Sequence, residues 1–152
     1  MLKVRLFTLC ALITASFFSA YLWAQADAIK QRQENYKKIG DSFKTIRDQV
    51  RGDRDLAAIT QAATTINELA GKVHTWFPEG SGPEAGVETE ALPVIWEKRE
   101  EFSAAIEQLV AASDKMLAAA KGGDLADVGG NIRTLGGACR NCHDNFRLDD
   151  DQ

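Results

Sequence analysis

Nothing in this 152-residue chain alternates apolar and polar side chains for long enough to make a strand, so sheet structure is not expected. No unit of roughly 20–50 residues repeats, which excludes a solenoid or propeller, and no low-complexity block is present. The chain has no His-Glu-x-x-His and no Ser-His-Asp set. It has no P-loop either, because the glycine pairs at 122–123 and 129–130 lack a following Gly-Lys-Ser/Thr. Hydrolytic and nucleotide chemistry are thereby unsupported, and the chain is not expected to be an enzyme. Positive charge is also scarce: 18 Lys and Arg stand against 22 Asp and Glu, a formal net charge of −4. That balance argues against nucleic acid or an anionic membrane surface as partner and permits a basic protein partner.

What is present begins with an address. Lys3 and Arg5 precede an apolar run from Leu6 to Phe18, and Ala24-Gln25-Ala26 offers the small residues of a cleavage site, the pattern of a secretory signal peptide. The run is short for a membrane anchor, and Phe7-Thr8-Leu9 before Cys10 lacks the small residues expected beside a lipid-modified cysteine. Residues 1–26 are therefore expected to be removed near Ala26, placing the protein in the periplasm. Losing Lys3 and Arg5 takes the formal charge from −4 to −6, and the three cysteines become two. Residues 27–152 suffice for one domain with a single core.

Four amphipathic helices are expected in that domain. Asp27 can cap the first, which carries Ile29, Tyr36, Ile39, Phe43, Ile46 and Val50 on one face; Arg51-Gly52-Asp53 ends it and offers a new cap. The second presents Leu56, Ile59, Ala63, Ile66, Ala70 and Val73. A Gly- and Pro-rich segment then runs from Phe77 to about Leu92, and Pro93 suits the first turn of a third helix with Phe102, Ile106, Leu109, Ser113, Met116 and Ala120 on its face. Asp124 can cap the fourth, whose stripe is Leu125, Val128, Ile132, Leu135, Cys139, Cys142 and Phe146. It is expected to fray after Leu148. Two short connections and one long one make this an all-α, antiparallel four-helix bundle.

The fourth stripe contains the chemistry. Positions i, i+3 and i+4 share one side of a helix, so Cys139, Cys142 and His143 point into one volume, the bundle interior. Two thiols at this spacing can form thioethers to the vinyl groups of a haem while the adjacent imidazole reaches the iron. A disulfide between cysteines three apart in a helix would be strained. Zinc would need His74 as a further ligand and two consecutive residues at one tetrahedron. Both are weaker readings than a single covalent haem c.

The segment Cys139-Arg140-Asn141-Cys142-His143-Asp144-Asn145-Phe146-Arg147 resembles the C-terminal ending of the cytochromes c′, the class II c-type cytochromes. Phe77, Gly80 and Ser81, then Pro93, Ile95 and Trp96, are similar to that family's long loop and third-helix entry, and Arg32 with Tyr36 to its opening helix. The resemblance covers residues 27–152 and implies a four-helix bundle with haem near its C-terminus, often a homodimer through the first two helices. It places Tyr36 over the haem face opposite His143, where low-spin relatives carry methionine, and Arg147 beside the axial imidazole. Arg32, on the face of Tyr36, could neutralise a haem propionate.

Tyr36 thus bears on function. A neutral phenol is a poor iron ligand, and phenolate ligation would require loss of a proton whose unperturbed pKa is about 10. The expectation is a five-coordinate iron that admits NO or CO and can exchange electrons with an unidentified partner. The alternative is a six-coordinate, low-spin electron carrier. Met116, the one methionine after residue 26, belongs to a core stripe of the third helix, and Trp76, Phe77 and Trp96 either pack the long loop or line the haem.

Overall fold

The computed structural model describes the backbone of residues 2–148 and the side chains of residues 23–148. It contains α1 (Leu2–Arg51), α2 (Leu56–Ala70), a single-turn α3 (Val94–Glu97), α4 (Arg99–Gly122) and α5 (Leu125–Phe146). α1 packs on α2 and α5, and α4 packs on the same two, so the four long helices close a ring around one core. This is the expected antiparallel four-helix bundle. Ile29, Ile46, Ile59, Ile66, Met116, Val128 and Leu135 are buried in it almost completely, and each belongs to an apolar stripe legible in the sequence.

The helix ends have local causes. Asp55, not Asp53, caps α2: its carboxylate accepts hydrogen bonds from the N–H groups of Ala57 at 2.9 Å and Ala58 at 3.1 Å. Asp124 caps α5 through Ala126 N–H at 2.8 Å, as expected. Gly123 ends α4 at φ +76°, a left-handed backbone that glycine adopts without strain. Asp27 does not act as a cap, because α1 is continuous through it in the full chain. The preceding residues accept the hydrogen bonds of its turn, so no orphan N–H groups remain there.

Three further boundaries differ from expectation. Val73 sits in a 3-10 turn, Val73–Thr75, beyond the end of α2. The third helix is broken at Lys98, with φ −118° and ψ 56°, although Glu97-Lys98-Arg99 contains no helix breaker. Tertiary anchoring overrides local propensity there: Ile95 is buried and the Trp96 indole N–H donates to the Pro78 carbonyl at 3.1 Å. At the other end, α5 stops at Phe146, and Arg147 is extended, at φ −115° and ψ 142°. The cause is a short antiparallel pairing between Ala91 and Arg147, in which Leu92 N–H donates to Phe146 O at 3.1 Å and Leu148 N–H to Glu90 O at 2.7 Å. Residues beyond Leu148, where fraying was expected, lie outside the described residues.

The long loop therefore works as a strap. It starts at Trp76 and Phe77 after the 3-10 turn, crosses α1 at Arg32 and Gln33, and is pinned on the end of α5 before entering α3. Gln33 donates its amide to Glu88 O at 3.1 Å, and Arg99 of α4 pairs with Glu79.

Candidate cofactor site

Between α1, α4, α5 and the strap lies a cavity of about 570 Å³, a size within the usual range of roughly 300–1,000 Å³ for cofactor pockets. Its walls are mainly apolar: Ile39, Phe43, Phe77, Ile95, Phe102, Ile106, Leu109 and Phe146 face it. Phe77, Phe102 and Phe146 form one continuous edge-to-face series, with centroids 4.8 Å and 5.1 Å apart. Cys139, Cys142 and His143 enter from α5, Tyr36 and Arg32 from α1, and Arg147 from the chain just past α5. All six residues singled out in the sequence thus line one volume.

Both cysteines are free, half-buried thiols. Burial raises the pKa of Cys139, and burial together with the neighbouring Cys139 pushes Cys142 up to about 11, so both are protonated at neutral pH. His143 is shifted the other way, chiefly by desolvation and then by the Arg147 charge, with Asp144 and Glu90 opposing. Its imidazole is accordingly neutral near pH 7, the form that can donate a lone pair to a metal. The thiol pair, the imidazole and the apolar walls fit a haem attached at two points and ligated at one.

Tyr36 packs edge-on against Trp76, with centroids 5.2 Å apart, and lies 6.3 Å from the Phe77 ring. Among the described residues its hydroxyl has no hydrogen-bond partner, and it borders the cavity. Burial drives the phenol pKa far above its ordinary value, the two cysteines add to this, and Arg32 opposes it. Without an iron beside it, the neutral phenol is the favoured form of this side chain.

Arg32 is 3% exposed. Its guanidinium donates to Ser81 Oγ at 3.1 Å and Thr89 Oγ1 at 2.6 Å and lies 4.8 Å over the Phe77 ring. Desolvation lowers its pKa, with Tyr36 and Glu84 opposing. It makes no ion pair among the described residues, an unusual state for a buried cation. Arg147 reaches the cavity from extended backbone just past the end of α5, and its Nε pairs with Glu90 at 2.5 Å.

The structure also separates the remaining candidates. Met116 is completely buried but does not reach the cavity, and His74 is on the surface. Of the three aromatics around the loop, Phe77 lines the cavity, Trp96 ties the loop to α3, and Trp76 supports Tyr36. Thr89, Glu90 and Ala91 also line the cavity, and only the long-range pairing of the strap places them there. Among the described residues no group of three or more His, Cys, Asp or Glu is arranged to hold a metal ion on its own.

A helical bundle whose last helix presents two thiols and an imidazole to a deep apolar cavity defines a haem protein of the c type. The comparisons narrow that class: the family model described as Cytochrome C′ matches residues 27–147, and the chain belongs to the cytochrome c′ family. Its cofactor is covalently attached haem c. The chain is 32% identical over 148 residues to a cytochrome c′ from Rhodopseudomonas palustris, covering 96% of this chain and 97% of that one. The crystal structure of cytochrome c′ from Rubrivivax gelatinosus matches with a TM-score of 0.74 at 32% identity, over 81% of this chain and 96% of that one. A nitric oxide complex of a cytochrome c′ variant from Alcaligenes xylosoxidans matches with the same TM-score at 25% identity, over 82% of this chain and 96% of that one.

Proposed function

We propose that this is a periplasmic cytochrome c′ that binds small diatomic gases at a five-coordinate haem iron and can also exchange electrons. When bound, the haem supplies an iron with a coordination position open to NO or CO and a one-electron couple. Cys139 and Cys142 would hold it by thioether bonds, each S–H adding across one vinyl C=C, and the His143 imidazole would ligate the iron. Arg32 would meet a haem carboxylate, and Arg147 would lie on the His143 side. Tyr36 crowds the other side without coordinating, so that bulky ligands are disfavoured and diatomics are admitted.

The observation that carries this reading is the position of Tyr36 on the cavity wall, where burial favours the neutral phenol, together with Met116 sealed in the core away from the cavity. A six-coordinate carrier would need a ligand that neither residue supplies. The nitric oxide complex known for the 25% identical relative supports the choice of gas. Export with cleavage near Ala26 is supported by the family match starting at residue 27, the first residue after that point. Among the described residues no helix is long and apolar enough to cross a membrane. Homodimerisation through α1 and α2 belongs to the same reading and is tested by sedimentation of the mature protein.

The test of gas binding is the absorption spectrum of the reduced protein before and after CO, then NO. A shifted Soret band with each gas is expected. Unchanged spectra would refute the open position.

A further inference from the structure

Two arginines border the cavity, Arg32 from α1 and Arg147 from the extended chain just past α5, and consecutive residues of the strap hold them. Thr89 accepts the Arg32 guanidinium at 2.6 Å, and Glu90 accepts Arg147 Nε at 2.5 Å. The backbone fixes Glu90 as well, because its carbonyl accepts Leu148 N–H at 2.7 Å and the next strap residue, Ala91, pairs with Arg147 itself. Both members of the ion pair line the cavity together with His143.

A surface ion pair alone fixes little, since two long side chains lose entropy to form it and salt screens it. Here the backbone already holds both Cα positions, so most of the ordering is supplied by the strand-like pairing and the side chains have only to meet. We propose that Glu90 is a positioning residue for this haem site, holding the Arg147 charge beside His143 and thereby helping to set the iron's reduction potential. The proposal rests on the reading that His143 ligates the iron. A positive charge near the iron favours the ferrous state, which carries one positive charge less. The Glu90 carboxylate and the backbone pairing with Ala91 both act to keep Arg147 where it can exert that effect.

The experiment is a double-mutant cycle on the haem-loaded protein, read as the ferric-to-ferrous ratio at a fixed solution potential. Wild type, Glu90→Gln, Arg147→Gln and the double variant are compared. Glu88→Gln serves as a control that removes a nearby exposed charge from the same strap. Arg147→Gln is expected to raise the ratio severalfold in the wild-type background, where a tenfold change corresponds to about 59 mV for one electron. In the Glu90→Gln background the same substitution should have less than half that effect on the potential. Glu88→Gln should leave the Arg147 effect as it is in wild type. Equal effects of Arg147→Gln with and without Glu90, or no effect in either, would overturn the proposal. Failure of the underlying reading is seen separately, because His143→Ala would then leave the absorption spectrum of the covalently loaded protein unchanged.

Discussion

Replacing Arg32 by Met removes a buried cation while keeping a long, flexible side chain. The guanidinium is 3% exposed and satisfied by Ser81, Thr89 and the Phe77 ring. Two charge-assisted hydrogen bonds contribute about 1.5–3 kcal/mol each, and a desolvated cation–π contact adds about 2 kcal/mol. Desolvating the ion costs several kcal/mol in return. Left to those partners, the cation roughly breaks even, and an apolar substitute would be nearly neutral. A cofactor carboxylate changes the sign of the outcome, since breaking a buried ion pair costs about 3–5 kcal/mol. For the haem-loaded protein we therefore expect Arg32→Met to lose about 3 kcal/mol. With a urea slope of about 2 kcal/mol/M, that moves the unfolding midpoint down by about 1.5 M. The assay is urea unfolding followed by far-UV circular dichroism. A midpoint shift under about 0.3 M, about 0.6 kcal/mol at the same slope, would refute the anionic partner and leave Arg32 as a self-sufficient strut between α1 and the strap.

Other substitutions probe the packing and the thiols. Met116→Leu nearly conserves volume in a sealed core, so it should cost less than about 1.5 kcal/mol in urea and leave the absorption spectrum and CO response unchanged; an altered Soret band would contradict the core role. Gly130 and Gly137 lie inside α5 with nothing within 4 Å of an added Cβ. Each change to Ala should therefore stabilise the protein by about 0.5–1 kcal/mol in thermal melts, and a lower melting temperature would show that the space is needed. In haem-free chain, alkylation of Cys142 by iodoacetamide should be slow at pH 8 and keep climbing with pH toward about 11, because burial and Cys139 favour the protonated thiol. A plateau near pH 9 would mean that Cys142 is not buried as described.

The bundle was legible because its helices follow one rule, an apolar residue every three or four positions, and Ile46, Ile66, Met116 and Leu135 are buried where that rule puts them. The spacing of Cys139, Cys142 and His143 likewise needed only helical geometry. Boundaries set by tertiary contact were not legible. The break at Lys98 lies in good helix-forming sequence, and Arg147 leaves the helix because Ala91, far away in the chain, offers it a strand-like partner. Glu90 and Thr89 had no signal at all, since a Thr-Glu pair in a loop has no periodicity and acquires its role only when the strap folds back. Ser81 was marked by resemblance, and its contact with Arg32 supplies the reason.

With His143 as the proposed iron ligand, the function depends on what faces the iron from the other side. Ferric electron paramagnetic resonance of wild type and of Tyr36→Met tests this most directly, since methionine can coordinate where a protonated phenol does not. A high-spin signal in wild type, converted largely to low spin in Tyr36→Met, is the expected result. A low-spin wild-type signal, or a Tyr36→Met spectrum indistinguishable from wild type, would contradict it.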